Sequence, residues 1–172
     1  MDCVKVDNDR FFEYSHYIRV EFCKSCFGSD IKVRECSILS IEDWNEFSAE
    51  CFLPWYKQGI TPSDSRAENY SLREYALKYP CSLDPNQEMR ILSAYHSSLG
   101  LRLLVDGCHR AVALQSEVNK GKNIPPVTVI ECYGTQMERV FPCDFDSLLK
   151  TYKRQFPTKV DSNEKPKKPT AT

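Results

Sequence analysis

Leu101-Arg102-Leu103-Leu104-Val105-Asp106-Gly107-Cys108-His109-Arg110 joins an apolar run to a tight turn and then, without interruption, to a helical pattern. The apolar run from Leu101 to Val105 is the mark of a buried strand. After it, Ala111, Leu114 and Val118 recur at spacings of three and four, which predicts a helix with Gly121 as a fitting C-cap. The turn between them carries the densest chemistry in the chain. Gly107 lacks a Cβ, so the backbone there can approach a ligand closely, and the amides at a helix start bind anions. Cys108, His109 and Arg110 surround that position with a thiol, a titratable imidazole and a permanent cation, a set suited to phosphate or another oxyanion.

Each residue of the turn has a functional and a plain structural reading. A cysteine at a helix N-terminus beside two cationic groups has its thiolate favoured, which makes Cys108 a candidate nucleophile. His109 is a phosphate donor or an acid/base, and Arg110 is the more dependable anion ligand because it keeps its proton. Asp106 would repel a phosphate unless a cation lay between them. It therefore points to Mg²⁺, to a general base for an incoming hydroxyl, or to a helix N-cap. The structural alternative is that Asp106 caps the helix, Gly107 makes the turn, Cys108 is buried and His109 and Arg110 are solvated.

Working outward, Pro125-Pro126 precedes a second buried strand, Val127 to Ile130. Upstream, Asp84-Pro85-Asn86-Gln87 is a strong helix start, and Met89, Leu92, Tyr95 and Leu99 continue it at helical spacing. Arg90 to His96 also reads as the first arm of a hairpin closing at residues 97–100, although local signals favour the helix. Ser40 with Asp43 three residues on predicts a helix carrying Trp44, Phe47 and Cys51 and stopped by Pro54. Trp44 and Trp55 are expected as core or rim aromatics. Residues 17–22 and 31–36 alternate and are rich in strand formers, which predicts a hairpin with Cys23 and Cys26 at its loop. Residues 58–65 read as loop, 66–78 as a helix and 146–152 as a short helix. The stretch from Pro157 has three prolines, several lysines and no aromatic residue, so residues 157–172 are expected as a disordered tail behind one domain, residues 1–156.

The 172 residues are 41% hydrophobic and 27% charged with a net charge of −1, which fits a globular domain and argues against a global basic field for nucleic acid. No apolar stretch is long enough for a membrane span, and the N-terminal residues lack the apolar core of a signal peptide, so a cytoplasmic protein is expected. Nine cysteines, an odd number without a secretory signal, read as free thiols, several of them buried. Cys23-x-x-Cys26 has metal or redox spacing, but no second pair completes a four-ligand zinc site.

Gly107-Cys108-His109-Arg110 matches the Gly-Cys-His-Arg signature of sulfiredoxins, and Asp106-Gly107-x-His109-Arg110 is similar to the Asp-Gly-x-His-Arg turns of free serine kinases and ParB-like proteins. Over Leu101 to Ile130 the chain thus resembles the ParB/sulfiredoxin superfamily. The resemblance implies an α+β fold, a small mixed sheet with flanking helices, and a hairpin ahead of the turn, over Arg90 to Val105. It implies ATP or a related nucleotide as ligand, with Gly107, Cys108, His109 and Arg110 around the phosphates and Mg²⁺ at Asp106. In a kinase-like version Asp106 positions or deprotonates the acceptor, and a glutamate after the first strand, Glu35 or Glu42, serves as base. In a sulfiredoxin-like version Cys108 is the nucleophile that resolves an ATP-activated sulfinic acid. Sulfiredoxins carry Phe-Gly-Gly or similar where this chain has Val105-Asp106, and ParB partition proteins continue into a DNA-binding domain. The expectation is therefore a nucleotide-binding enzyme performing phosphotransfer or hydrolysis on a small-molecule or protein acceptor. Sulfinic acid reduction and a non-catalytic nucleotide-sensing module are the alternatives, and direct DNA binding is not expected.

Overall fold

The computed structural model describes residues 1–13, 25, 27–52, 89–140, 146–147 and 149–150. They form an α+β arrangement around one mixed sheet. The elements in chain order are β1 (Asp2–Val6), α1 (Asp9–Glu13), β2 (Lys32–Ile38), α2 (Ile41–Ser48), β3 (Cys51–Phe52), β4 (Met89–His96), β5 (Leu101–Asp106), α3 (Cys108–Asn119) and β6 (Val127–Gly134). The strand order is β1-β2-β6-β4-β5-β3. The β4·β6 and β3·β5 pairs are parallel and the other three antiparallel.

The apolar stretch 101–105 forms β5, as its composition demands, and β6 begins at Val127 but runs four residues past Ile130. The hairpin ahead of the turn is present as β4 and β5. The local preference for a helix over Met89 to Leu99 is thereby corrected. Ile91, Leu92 and Ala94 are all buried, on opposite faces of a strand that is central in the sheet, and burial on two sides overrides helical spacing. The helix start at Asp84 lies outside the described residues.

Two further expectations change. β2 carries most of the predicted second arm and pairs with β1 and β6 on its two edges; the predicted first arm, residues 17–22, lies outside the described residues. The short β1 was not legible as a strand because four of its five residues face solvent. α2 starts as expected, with Ser40 Oγ accepting the Asp43 amide proton at 3.1 Å, and buries Trp44 and Phe47. It stops at Ser48, before Pro54, and Cys51 belongs to β3. The predicted elements at 58–65 and 66–78, Trp55 and the tail also lie outside the described residues, whereas of the short helix expected at 146–152 the four described residues, Asp146, Ser147, Leu149 and Lys150, are helical.

The sheet is covered on both faces. On one, α2 and α3 pack Trp44, Phe47, Ala111 and Leu114 against Ile91, Leu104, Val127 and Val129. On the other, Phe11, Met137 and Val140 meet Val33, Leu92, Leu103 and Ile130. Each large side chain so buried contributes roughly 1.5–3 kcal/mol. Cys3 and Cys36, directly opposite on β1 and β2, form a disulfide, which corrects the expectation of nine free thiols. Cys51, Cys108 and Cys132 are free and buried, while the Cys23-x-x-Cys26 pair lies outside the described residues. No helix among the described residues is long and apolar enough to cross a membrane.

Candidate functional site

A bulge between Leu92 and Ser93 shifts the β4·β5 register so that Asp106 stands opposite Leu92. The chain then reverses through Gly107, whose φ of 84° and ψ of 18° are left-handed. A Cβ at this position would meet the Arg90 carbonyl oxygen and the Ile91 Cγ1 at 3.2 Å, so both the conformation and the close packing on β4 require glycine. Gly107 is thus the residue that lets α3 begin directly against β4.

Both oxygens of Asp106 are engaged. Oδ1 accepts the Gly107 amide proton at 2.7 Å, and Oδ2 accepts from Arg110 Nη2 at 3.1 Å, one helical turn ahead. Arg110 Nη1 donates to the Arg90 carbonyl oxygen at 2.5 Å. The Arg110 side chain is 19% exposed, and its Nε is buried without an acceptor among the described residues. His109 is half-buried beside it. These three residues, Asp106, His109 and Arg110, stay together at the turn.

Cys108 does not join them. It is 1% exposed, its Sγ donates to the Leu104 carbonyl oxygen at 3.7 Å, and it packs with Leu104, Ala111 and Leu114. The thiol at position 108 therefore faces the core rather than the turn, because the first residue of a helix lying on a sheet is directed by the helix periodicity and not by its reactivity. Glu42 is also elsewhere. It lines a cleft of about 490 Å³ with Ser40, Asn123 and Ile124, past the C-terminal end of α3. The helix of 12 residues, about 18 Å long, separates that end from Asp106. Glu35 is paired with Arg10 at 3.1 Å on the outer part of the sheet. No group of three or more His, Cys, Asp or Glu able to hold a metal occurs among the described residues, so Mg²⁺ at this turn would rest on Asp106 and on phosphate oxygens.

Two polar centres were not foreseen. On the helix-covered face, the fully buried Glu131 carboxylate accepts from Arg34 Nε at 2.8 Å, from Arg102 Nε at 2.6 Å and from Ser93 Oγ at 2.9 Å. Arg102 is stacked between Phe47 and Tyr95, 4.7 and 4.6 Å from the ring centroids. Burial opposes its charge, but Glu131 outweighs that and holds it above the usual arginine range. Burial likewise pushes the Tyr95 hydroxyl up, with Glu50 adding to the effect. A cleft of about 480 Å³ lined by Cys3, Arg34, Glu46, Glu50, Tyr95 and Arg102 opens over this cluster. The available signal was a charge inside each strand, Arg34, Arg102 and Glu131, placed on one face by period-two alternation.

The second centre is at the β4–β5 turn. His96 Nδ1 lies 3.1 Å from Ser98 Oγ, and its Nε2 lies 3.3 Å from Glu138 Oε1. Glu138 follows β6, so sequence distance concealed this grouping. Compared with protein-family models, with curated proteins and with solved structures, the chain gives no match.

Proposed function

We propose that the chain is a nucleotide-binding domain of the ParB/sulfiredoxin type that holds the phosphates of ATP or a related nucleotide at residues 106–110, with transfer or hydrolysis of the terminal phosphate as its chemistry. The observation that carries this reading is Arg110. Its guanidinium is fixed at the first turn of α3 by Asp106 and the Arg90 carbonyl, is partly exposed, and keeps its Nε without an acceptor among the described residues. A guanidinium held in place before the ligand arrives loses little side-chain freedom on binding. The left-handed Gly107 and the half-buried His109 lie at the same turn, where the first amides of α3 begin.

Bound Mg²⁺ would neutralise phosphate charge beside Asp106, a single carboxylate being enough when phosphate oxygens supply other ligands. For Asp106 to serve this role or to accept a proton from an acceptor hydroxyl, Oδ2 must leave Arg110, a pair that a phosphate on Arg110 would loosen by competition. A second reading, nucleotide binding without turnover, is favoured by the engagement of both Asp106 oxygens. The sulfiredoxin-like reading is opposed by the burial of Cys108.

Titration of ATP, ADP and CTP into the full chain, with and without Mg²⁺ and with product analysis, tests the proposal. Binding lost in Arg110→Ala, together with Mg²⁺-dependent product formation that survives Cys108→Ser, supports it. Tight binding without product assigns the second reading. Unchanged binding and turnover in Arg110→Ala overturns both.

A further inference from the structure

We propose that Ser98 is an activated hydroxyl that accepts acyl groups from activated esters, with His96 as its base and Glu138 as the residue that orients the imidazole. Ser98 is exposed at the β4–β5 turn, whereas the His96 side chain beneath it is only 3% exposed. The Oγ-to-Nδ1 distance of 3.1 Å and the Nε2-to-Oε1 distance of 3.3 Å place a nucleophile, a base and an orienting carboxylate in one chain of contacts. Burial pushes the Glu138 carboxyl up, but a hydrogen bond with its own backbone and another with His96 outweigh this, holding it below the usual carboxylate range. An ionised carboxylate only accepts hydrogen bonds, so the tautomer that donates from Nε2 to Glu138 is the one that turns its Nδ1 lone pair to Ser98.

The geometry is held by a pinned turn. Ser97 donates through both its amide and its Oγ to the Gly134 carbonyl oxygen at 2.9 Å, and the Leu99 amide donates to the His96 carbonyl oxygen at 3.2 Å. Ser98 Oγ also lies 3.4 Å from the Thr135 carbonyl oxygen, a longer contact than the one to His96. The turn therefore fixes the relative position of hydroxyl and imidazole, as a reacting pair requires.

In the acyl-transfer step, Ser98 Oγ attacks the carbonyl carbon of the ester while His96 Nδ1 takes the hydroxyl proton. The Oγ–C bond forms, the bond from carbon to the alkoxide or phenoxide leaving group breaks, and that group departs as the alcohol or phenol with the proton returned by His96. No electrons are exchanged with an external agent. Ser98 lies at the opposite end of β5 from Asp106, about 17 Å along the strand. The two sites therefore stand or fall separately.

The test is incubation of the full chain with p-nitrophenyl acetate, following p-nitrophenolate release and locating the acetyl group by peptide mass spectrometry. Ser98 should carry the acetyl group, Ser98→Ala should react only at background rate, and Ser97→Ala, which keeps the amide but loses the Oγ hydrogen bond to Gly134, should react more slowly yet still at Ser98. His96→Gln should slow acylation at least about a hundredfold. Glu138 is half exposed, so Glu138→Gln leaves the core intact and should slow it about tenfold, giving a readout that a misfolded His96 variant cannot. Equal labelling of Ser97 and Ser98, or wild-type rates in the Glu138 and His96 variants, would overturn the proposal.

Discussion

Arg110 Nη2 lies 3.1 Å from Asp106 Oδ2, and the same carboxylate accepts the Gly107 amide proton through Oδ1. The acidic residue that looks out of place in an anion-binding turn is thus the internal counterion of its cation. On the proposed reading, a phosphate entering the turn would compete with Asp106 for Arg110. The pair sets an electrostatic threshold for binding, and its partial exposure keeps that threshold low, because solvent screens such pairs to about 1 kcal/mol or less.

Asp106→Asn should therefore separate binding from chemistry. The amide keeps an acceptor for the Gly107 proton but removes the charge that competes for Arg110. Nucleotide affinity measured without Mg²⁺ should rise several-fold, while Mg²⁺-dependent product formation should be lost. Stability should change by less than about 1 kcal/mol. Weaker Mg²⁺-free binding in this variant would show that Asp106 assists the phosphate rather than competing with it.

Gly107→Ala should be much more costly than Gly121→Ala, although both glycines have positive φ, 84° and 68°. A left-handed backbone costs a non-glycine residue of the order of 1 kcal/mol, up to about 3 where surroundings resist. At Gly121 no atom lies within 4 Å of an added Cβ, whereas at Gly107 the Arg90 carbonyl and Ile91 crowd it. Urea denaturation should show a loss of about 1 kcal/mol at 121 and about 2–3 kcal/mol at 107. Equal losses would mean that α3 can move away from β4.

The strand, turn and helix over 101–119 were legible because their signals are local: an apolar run, a glycine and a helical spacing. The β4 helix expectation failed because Met89, Leu92, Tyr95 and Leu99 satisfy helical spacing while nothing local says that Ile91 and Ala94 will also be buried between two layers. The Asp106, His109 and Arg110 grouping follows from five consecutive residues and needed no tertiary information. The orientation of Cys108 did need it, since only contact with Leu104 and Leu114 shows which way the helix turns its first side chain. The Glu131 cluster and the His96–Glu138 contact join residues 29 to 97 positions apart, and no spacing within one element reports them.

Glu131→Ala should destabilise the fold by about 3–5 kcal/mol, because it leaves Arg102, 4% exposed, as an uncompensated charge in the sheet. Arg34→Ala should cost less, its side chain being 25% exposed and so partly served by water. Replacing Arg102 and Glu131 together by leucine or methionine should recover much of the loss. Additive effects in this double-mutant cycle would show that the two side chains do not act as a pair.

The buried thiols should give the fold an alkaline limit. Burial raises the pKa of Cys51 and Cys132 above the ordinary value of 9.0, so their native forms stay protonated where the unfolded thiols ionise. A raised native pKa contributes stability that is complete below the unfolded value and is lost progressively as pH climbs above it. Each thiol should then lower stability by about 1.4 kcal/mol per pH unit in that window. Urea midpoints should fall as pH rises past 9.0, and less steeply in Cys51→Ala or Cys132→Ala when each is compared with its own value at neutral pH. Midpoints independent of pH across that range would contradict the burial of these thiols.

Reduction of Cys3–Cys36 should release β1 before anything else in the sheet changes. Among the described residues β1 is an edge strand paired only with β2, and four of its five residues are exposed, so side-chain burial contributes little to holding it. The disulfide closes a loop spanning a sequence separation of 33, and a cross-link of that size stabilises by about 3–4 kcal/mol through the unfolded chain. Reduced protein, or Cys3→Ser, should lose about that much stability in urea. Native-state hydrogen exchange should show amides of β1 opening by a local route while those of β4 and β6, central in the sheet, exchange only on global unfolding. Protection of β1 that is unchanged by reduction would show that backbone pairing with β2 alone suffices to hold the edge strand.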